Sequence, residues 1–514
     1  MRICFIAEGS YPYNTGGVSA WIHTLMENMP EHEFVIYAIS ATKKAKGHVK
    51  YKFPENVVKV EDLVLDTFLS DEVKWGGRYK LTEEEKKAVK SLLDQSSTDW
   101  DVLFSLFTSN KIDSVTNFLT SKDFFDIVQE ICLEQYAQAP FTEMFWTLRS
   151  MVLPLFLSVN HPVPKADVYH SVSTGYAGVI GSLAKFYYDK PFILTEHGIY
   201  TREREEEIIK ANWIKGHLKD LWIQYFYNMS NCAYEYGDEI ISLFNRNKEI
   251  QAEIGCNTDK ITIIPNGVPV EQYASLSNRI EKSEDDAIYI GAVVRVVPIK
   301  DIKTMLQSFA IVKREILEAQ FHIMGSIDED EEYYHDCLQL VKSLDLKDVV
   351  FTGQVNMKEK IHRMDILVLS SISEGQPLAI LEGLACGIPY VSTDVGSCKE
   401  LLLGENDQFG DAGIVVPIMH YVHMAQGIIR LCHDDKVRKE LGKNGLNRVR
   451  AMYTKENFIQ SYKKLYLSVG KSPVSTNEQS TGQQGQSSST FGEHSSSKKE
   501  NSVNKKWMKR LWQE

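Results

Sequence analysis

The most informative part of this chain is the twelve-residue run Ser371-Ile-Ser-Glu-Gly-Gln-Pro-Leu-Ala-Ile-Leu-Glu382. It follows Asp365-Ile-Leu-Val-Leu-Ser370, whose leucine and β-branched residues predict a buried parallel strand, and it leads into a helix-forming segment from Leu378 to Cys386. Gly375 lets the backbone approach a ligand closely, and Pro377 suits the first turn of a helix because it has no N–H group to leave unpaired. The run therefore predicts a strand, a loop and a helix N-terminus.

A helix that begins at this loop presents free backbone N–H groups and about half a positive charge, which favours an anion and most naturally a phosphate. Glu374 lies before the helix, and Glu382 lies about one turn inside it, roughly 7 Å along the axis. This spacing lets one carboxylate accept hydroxyl groups on either side of a bound diphosphate. A sugar nucleotide has that shape, although two unrelated glutamates on an exposed helix would give the same pattern.

The Glu-Gly-x-Pro-x-x-x-Leu-Glu pattern from Glu374 to Glu382 resembles the signature of retaining family-four glycosyltransferases of the GT-B fold. The resemblance implies that Glu374 contacts hydroxyls of the donor sugar and that Glu382 contacts the ribose. Gln376 departs from the pattern, because relatives often carry phenylalanine there. The donor-binding loop implied by the resemblance consists of Gly375, Gln376, Pro377 and Leu378.

Length and composition are those of a globular protein. The 514 residues can form two or three domains, and a hydrophobic content of 43% allows a large core. A net charge of −12 argues against general nucleic-acid binding, which needs cations to neutralise phosphates. The eight cysteines form no Cys-x-x-Cys pair and no regular spacing with histidines, so we expect reduced, buried thiols.

The sequence contains no segment that resembles a signal peptide or a membrane span. The first apolar run is very short and is broken by Glu8 and Gly9, and nowhere do eighteen apolar residues follow one another. We therefore expect a cytoplasmic protein.

The chain begins with the pattern of a strand, a glycine loop and a helix. Cys4-Phe-Ile-Ala7 predicts the first strand, and apolar residues from Val18 to Met29 fall on one face of the following helix. The loop between them, Glu8-Gly-Ser-Tyr-Pro-Tyr-Asn-Thr-Gly-Gly17, resembles the opening of the same transferases, which implies a donor-binding role for Gly17. A plain tight turn is the alternative.

Residues 62–163 interrupt this alternation and predict a mainly helical insertion, in which Thr82 and Glu85 have the spacing of a capping box. Three roles remain open for this insertion: it forms a wall of the acceptor site, it is a docking surface for a partner, or it only contributes packing.

Strand and helix patterns resume at Asp167, and the strand Phe192-Ile-Leu-Thr195 leads into Glu196-His-Gly-Ile-Tyr-Thr-Arg-Glu-Arg204. A histidine directly after a parallel strand lies at the carboxyl edge of the sheet, where open α/β sheets bind ligands. Family-four enzymes carry a histidine at this strand end, so the resemblance implies that His197 lies close to the donor sugar. Arg202 and Arg204 are candidates for the acceptor side, or else belong to an exposed charged helix start.

The second half predicts a doubly wound parallel sheet, because short β-rich runs alternate with helical patterns from Ile288 to Thr393. Arg295 and Lys300 follow the first of these strands in one loop and could both reach a diphosphate. The resemblance implies that this pair neutralises the leaving diphosphate, whereas two solvated cations would have the same spacing.

The predicted architecture is GT-B, with two Rossmann-like domains that face a cleft. The predicted boundaries are 1–274 for the acceptor-side domain with its insertion, an interdomain linker at 273–286, and 287–450 for the nucleotide-sugar domain. An amphipathic helix at 454–469 is expected to cross back to the first domain. Residues 471–514 predict a disordered tail whose basic, tryptophan-rich end suits an anionic membrane surface or a partner groove.

We expect neither a catalytic metal nor a cofactor. Two Asp-x-Asp triplets, at Asp99 and at Asp328, are interpreted as structural, the second as part of a helix cap. Arg295 and Lys300 already supply positive charge for a diphosphate.

The family resemblance implies a retaining, metal-independent hexosyltransferase, closest to those of Pel exopolysaccharide synthesis, with UDP-glucose or another UDP-hexose as donor. The implied partners are the nucleotide sugar, a polysaccharide acceptor and membrane-bound synthase or export proteins. The C-terminal tail, which falls outside the resemblance, separately suits peripheral contact at the inner face of the membrane. A nucleotide-sugar epimerase, a small-molecule glycoside synthase and a non-catalytic donor-binding scaffold remain alternatives.

Overall fold

The computed structural model describes residues 1–66, 73–94, 96–277, 287–405 and 407–470. The predicted tail at 471–514 and most of the predicted linker, 278–286, lie outside the described residues. The chain divides into two compact units. Unit 1 comprises Met1–Ile240, Ile254–Lys260 and residues 465–470, and unit 2 comprises Ile241–Glu253 and Ile261–Lys464.

The first sheet has seven strands in the order β3-β2-β1-β4-β5-β6-β7. Their bounds are β1 Arg2–Glu8, β2 Glu33–Ser40, β3 Val57–Val64, β4 Val168–Ser171, β5 Phe192–Glu196, β6 Glu239–Ser242 and β7 Ile261–Ile263. The central strands are buried on both faces, as expected for a parallel sheet that helices cover on both sides.

Twelve α-helices precede β8 among the described residues. They are α1 Gly17–Glu27, α2 Lys43–Lys46, α3 Glu83–Ser91, α4 Trp100–Thr108, α5 Val115–Phe118, α6 Lys122–Gln135, α7 Phe141–Val159, α8 Tyr176–Tyr188, α9 Tyr200–Lys210, α10 Gly216–Tyr236, α11 Asn245–Glu253 and α12 Val270–Ser277.

The second sheet has six strands in the order β10-β9-β8-β11-β12-β13. Their bounds are β8 Ile288–Val293, β9 Ala319–Met324, β10 Val349–Gly353, β11 Ile366–Leu369, β12 Tyr390–Thr393 and β13 Gly413–Val416. The helices are α13 Ile302–Glu315, α14 Glu331–Ser343, α15 Met357–Lys360, α16 Leu378–Ala385, α17 Cys398–Leu403, α18 Tyr421–His433, α19 Asp435–Met452 and α20 Lys455–Val469.

Both sheets confirm the predicted pair of doubly wound, Rossmann-like folds. In each sheet the strand order reverses next to the first strand, between β1 and β4 and between β8 and β11. Such a reversal opens a crevice at the carboxyl ends of the two strands, and open α/β sheets bind their ligands there. The loops that follow β1, β4, β8 and β11 are therefore the first places to look for a site.

In the region of the predicted insertion, about 62–163, the described residues form helices α3 to α7, and β3 extends past the approximate start of that region. β3 continues to Val64 instead of ending before Asp62, because its residues pair in parallel with β2 as far as Ser40. The predicted capping box is present at the start of α3, where the Thr82 side chain accepts from the Glu85 N–H and the Glu85 carboxylate accepts from the Thr82 N–H.

The first residues of the predicted linker, 273–277, overlap α12. Tyr273 belongs to α12 and is only 5% exposed, so the chain is still packed where the linker was expected to begin. The last helix, α20, contributes its final residues to unit 1, where the Tyr466 hydroxyl lies 2.6 Å from Nδ1 of the buried His170.

All eight cysteines are buried and unpaired, which confirms the expectation of buried free thiols. Within the described ranges, none of the helices combines the length and the apolar character needed to span a bilayer.

Candidate functional site

In unit 2, hydrogen bonds join the loops that follow β8 and β11. The Ser370 hydroxyl donates to the carbonyls of Lys300 and Asp301, both at 2.8 Å, and the Ile372 N–H donates to the Ile299 carbonyl at 2.9 Å. The chain forms a short 3₁₀ turn at Pro298–Lys300. These bonds hold that turn against the start of the glutamate loop, which we define as residues 370–377.

Lys300 and Glu374 meet as a consequence. The Lys300 Nζ lies 2.5 Å from Glu374 Oε1, and the Ser371 hydroxyl donates to the same oxygen at 2.5 Å. The two charged side chains are only 16% and 11% exposed. The structure thus brings together two of the predicted site residues in a largely buried ion pair at the reversal point of the second sheet.

Arg295 does not join this pair. Its Nη1 lies 2.5 Å from Glu329 Oε2, and both side chains are largely exposed, at 57% and 42%. The expected pair of cations is therefore divided between two acidic partners. Lys300 contacts the glutamate loop, and Arg295 contacts the segment before α14.

The helix after the loop, α16, begins at Leu378. Pro377 is the N-cap residue, with φ −72° and ψ 111°, rather than a member of the first turn as predicted. Because proline carries no polar side chain, this helix end has no side-chain cap. Free N–H groups at a helix N-terminus are a ready site for an anion.

Gln376 is buried, with 7% of its surface exposed. Its Oε1 accepts a hydrogen bond from the Asn266 N–H at 2.6 Å, whereas its Nε2 is buried without a hydrogen-bond partner. A buried amide donor without a partner is unfavourable by about 1–3 kcal/mol, so a ligand acceptor at this position would be stabilising. Phenylalanine could not offer this donor.

Glu382 projects from α16 and accepts a hydrogen bond from the Tyr273 hydroxyl at 2.8 Å. Burial raises the pKa of the Glu382 carboxyl, and the hydrogen bond from Tyr273 opposes that rise. Tyr273 was assigned to the linker in the sequence and was missed as a site residue. No local signal marks it, because its partner lies more than one hundred positions further along the chain.

Gly396 was also missed. It has a positive φ of +53°, and a Cβ atom there would lie 2.2 Å from the Gly375 carbonyl oxygen and 2.3 Å from that of Glu374. The neighbouring Ser397 N–H donates to the Gly375 carbonyl at 3.0 Å. The turn after β12 therefore supports the glutamate loop through its backbone, and a glycine three residues after the end of a predicted strand was the available signal.

In unit 1, His197 follows β5, as predicted. Its ring packs edge-on against Trp21, with 4.9 Å between the ring centroids. Burial lowers the pKa of His197 to about 4, so the imidazole is neutral at physiological pH. Its Nε2 is buried and has no hydrogen-bond partner, which leaves one nitrogen able to bind a hydroxyl group.

The loop that carries His197 is fixed by its neighbour Glu196, which is 1% exposed. The Glu196 carboxylate accepts from the Tyr200 N–H at 3.1 Å and from the Tyr234 hydroxyl at 2.7 Å. The first of these bonds satisfies a free N–H at the start of α9. Glu196 therefore has a structural role, which its position beside a histidine did not reveal.

Arg204 and Glu8 belong to a second polar group in unit 1. The Glu8 carboxylate accepts from the Ala177 N–H at 3.3 Å, and burial raises its pKa, although the charge of Arg204 acts in the opposite direction. The Arg204 guanidinium lies 5.2 Å from the ring centroid of Tyr200, and its Nη1 pairs with Glu207 at 2.7 Å.

Arg202 is exposed on α9. Gly17 is the first residue of α1, and no atom lies within 4 Å of the place where its Cβ would be. The structure therefore does not require glycine at position 17 for packing.

The two Asp-x-Asp triplets cap helices. Asp99 accepts from the Val102 N–H at 3.1 Å, and Asp330 accepts from the Tyr333 N–H at 2.8 Å. In the part of the chain that the structure describes, no group of three or more histidine, cysteine, aspartate or glutamate side chains is arranged to hold a metal ion.

Two parts of the chain match known protein families. Residues 1–259 match the family described as "Domain of unknown function (DUF3492)", and residues 284–434 match the family described as "Glycosyl transferases group 1". Since the first match spans half of the chain, the protein belongs to the DUF3492 family. The glycosyl transferases group 1 match lies within unit 2.

Curated relatives are distant. The chain is 29% identical to N-acetyl-alpha-D-glucosaminyl L-malate synthase of Bacillus anthracis over 37% of this chain and 47% of that protein, so this match spans about half of the relative. It is 24% identical to the capsular polysaccharide biosynthesis glycosyltransferase CapM of Staphylococcus aureus over 57% of this chain and 74% of that protein.

Solved structures share the fold. Sucrose-phosphate synthase from Thermosynechococcus elongatus is 15% identical, with a TM-score of 0.58 over 91% of this chain and 98% of that one. Anabaena HepE in complex with UDP is 14% identical, with a TM-score of 0.59 over 91% of this chain and all of that one. These similarities establish the GT-B architecture.

Proposed function

We propose that this protein is a retaining glycosyltransferase that moves a hexose from a UDP-sugar, first of all UDP-glucose, to a growing exopolysaccharide of Pel type. The observation that carries the proposal is the Lys300–Glu374 pair, which lies at the reversal point of the second sheet beside the uncapped start of α16. Lys300, Glu374 and the free N–H groups at the start of α16 each suit a nucleotide sugar, and all three belong to the loops that follow β8 and β11.

The donor diphosphate would bind at the N-terminus of α16, next to Lys300. The lysine would then exchange its bond to Glu374 for a phosphate oxygen, and the freed carboxylate would accept hydroxyls of the donor sugar. A cation and backbone dipoles aimed at the diphosphate stabilise the negative charge that develops on it as the glycosidic bond breaks. Arg295 would have to leave Glu329 to take part, which its high exposure permits.

The rest of the donor has matching groups in unit 2. Glu382 would accept the ribose hydroxyls while Tyr273 holds its carboxylate in place. The unpartnered Nε2 of Gln376 would donate to an oxygen of the donor. These residues orient the donor and take no part in proton transfer.

From unit 1, the neutral imidazole of His197 would bind a sugar hydroxyl through its unpartnered Nε2. Arg202 and Arg204 are assigned to the acceptor side. Retention follows from the resemblance to family-four enzymes, and we propose front-face attack because no second carboxylate is assigned as a nucleophile. The same resemblance supports the assignment without a catalytic metal.

The names of similar proteins support the reaction class. A UDP-Gal:alpha-D-GlcNAc-diphosphoundecaprenol alpha-1,3-galactosyltransferase of Escherichia coli is 24% identical over 59% of this chain. Anabaena HepE has been crystallised with UDP-glucose. Both names include a UDP-hexose, and we extend this class of donor to the present protein.

The purified full-length chain should release UDP from UDP-glucose or another UDP-hexose when a saccharide acceptor is supplied. The acceptor should gain one hexose mass per transfer, with the anomeric configuration of the donor. Growth of a polymeric acceptor distinguishes the proposed reaction from an epimerase or a small-molecule glycoside synthase. Absence of UDP release with every UDP-hexose and acceptor would identify a binding protein and refute the proposal.

A further inference from the structure

Unit 1 contains a cleft that is distinct from the loops described above. Its volume is about 440 Å³, and the carboxyl ends of α4, α7 and α8 form its walls together with the segments that follow them. Since α7 precedes β4 and α8 precedes β5, the cleft lies toward the amino ends of these strands. His197 follows the carboxyl end of β5. The thirteen residues of α8 connect these two edges of the sheet and span about 20 Å.

One wall of the cleft is aromatic. Tyr187 is 60% exposed, which is unusual for so large an apolar ring, and it meets Tyr188 edge-on with 4.9 Å between the centroids. The Tyr188 hydroxyl donates to the Val163 carbonyl at 2.7 Å, which fixes the supporting ring. The Tyr187 ring is therefore presented to solvent on a rigid base.

Other lining residues of the cleft are polar. Asn110, Asp113 and Asn160 line the cleft with exposed side chains, and Asn160 is the C-cap residue of α7. The Tyr79 hydroxyl donates to Asp113 Oδ1 at 3.0 Å, which holds this carboxylate in place and leaves its other oxygen available to a ligand. The lining of the cleft therefore combines amide donors, a carboxylate acceptor and an exposed aromatic ring.

The charge of the cleft restricts its ligand. The described lining residues include no lysine or arginine, and the ends of three helices add partial negative charge to that of Asp113. Phosphates and other anions are therefore disfavoured. A lipid chain would leave the exposed amides and the carboxylate without partners.

We propose that this cleft is a binding site for a neutral oligosaccharide. The apolar face of a sugar ring would lie on Tyr187, its hydroxyls would donate to Asp113, and the amides of Asn110 and Asn160 would donate to its oxygens. The volume falls within the range of about 300–1,000 Å³ that is usual for small-ligand sites. Binding at this edge of the sheet requires no donor nucleotide, so the site is independent of the proposed transfer reaction.

One consequence does rest on the proposed function. If the protein extends a polysaccharide, a second saccharide site about 20 Å from the transfer edge of unit 1 would retain the growing chain between additions. Loss of the site would then shorten the products without slowing transfer to a short acceptor.

Binding is tested by isothermal titration of the full-length chain with neutral hexasaccharides of glucose and of N-acetylhexosamines. We expect saturable binding of at least one of them and affinity at least tenfold weaker in Tyr187→Ala. Tyr187→Phe, which keeps the ring, should retain affinity within threefold. Tyr421→Ala removes a tyrosine of unit 2 that is 41% exposed and serves as the matched control with unchanged affinity.

The proposal is overturned if none of the hexasaccharides binds saturably, or if Tyr187→Ala binds as tightly as the unchanged protein. Saturable binding of spermidine that Asp113→Asn abolishes, without oligosaccharide binding, would instead identify a cation site and would also overturn it. UDP release with a short acceptor, measured on the same Tyr187→Ala preparation, should be unchanged. A failure of the transfer reaction itself would leave the hexasaccharide titration interpretable.

Discussion

Lys300 is the single residue whose charge the proposed reaction needs most. Contacts to charged groups contribute about 1.5–3 kcal/mol each, so Lys300→Ala should slow turnover of the donor by tenfold or more. UDP release at saturating donor measures this change. Lys303→Ala is the matched control, because Lys303 forms an exposed ion pair with Asp336 at 2.8 Å and should leave turnover unchanged. Equal rates in the two variants would remove Lys300 from the donor site.

His170 should make the stability of unit 1 depend on pH. It is fully buried between the Tyr466 and Thr195 hydroxyls, and burial lowers its pKa to about 3. In the unfolded chain the same ring binds a proton below about pH 6.5. Below that pH the unfolded state therefore holds more protons, and stability falls as pH decreases from 6.5 toward 3.

We expect this one histidine to lower the free energy of unfolding by about 2 kcal/mol at pH 5. His170→Gln removes the titrating group, so its unfolding free energy should fall by about 2 kcal/mol less than that of the unchanged protein between pH 7 and pH 5. Urea unfolding at both pH values gives the comparison. The contributions of carboxyl groups cancel, since both proteins contain them, and equal losses would contradict the assignment.

The sequence predicts site residues well where both partners follow strands of the same parallel sheet. Glu374 and Lys300 each follow a recognisable strand, and the strand order then brings the two loops together. The separation of Arg295 from Lys300 could not be predicted, because it depends on Glu329, whose position is set by the fold of another segment. Tyr273 was missed for the same reason.

At the scale of elements, the turn after β12 supports the glutamate loop. Gly396→Ala would place a methyl group 2.2 Å from the Gly375 carbonyl oxygen, on a backbone with φ +53°. We expect this change to lower both the free energy of unfolding and the rate of UDP release, because the loop that carries Glu374 must move. Denaturant unfolding and the UDP-release assay measure the two effects.

Gly353→Ala is the matched control for that substitution. Its φ is +65°, and no atom lies within 4 Å of the added Cβ. It should therefore show only the backbone effect of about 1–2 kcal/mol on stability, with turnover unchanged. If Gly396→Ala lowers the free energy of unfolding no more than Gly353→Ala does and releases UDP at the normal rate, the turn after β12 does not position the glutamate loop.

Helices and strands were predicted well where the pattern that marks them lies within their own residues. The helix after the glutamate loop, the strand before it and the capping box of α3 all appear where the sequence placed them, within one or two residues. The start of the insertion was misplaced because β3 is stabilised by its pairing with β2, and its own sequence, with charged residues among the valines, is a weak strand signal.

At the scale of the whole molecule, donor binding should stabilise the native chain. A ligand that binds only the native state adds about 2.7 kcal/mol at one hundred times its dissociation constant. We expect UDP to raise the melting temperature more than ADP or GDP in a thermal-shift assay. Glu382→Gln should reduce the shift caused by UDP, because it removes the acceptor assigned to the ribose.

Glu440→Gln is the control for this assay, since Glu440 is an exposed glutamate on α19. It should respond to UDP as the unchanged protein does. Equal shifts with UDP, ADP and GDP would argue against a uridine nucleotide. An unchanged response in Glu382→Gln would argue against the ribose assignment alone.

The burial of every cysteine offers a way to watch the two units separately. Four of the eight thiols, at positions 4, 132, 232 and 256, belong to unit 1, and the other four, at 337, 386, 398 and 432, belong to unit 2. Only the thiolate reacts with alkylating reagents, and a thiol shielded from water must first become accessible. A pulse of iodoacetamide followed by peptide mass spectrometry would therefore report which half of the native chain unfolds first, without any engineered label.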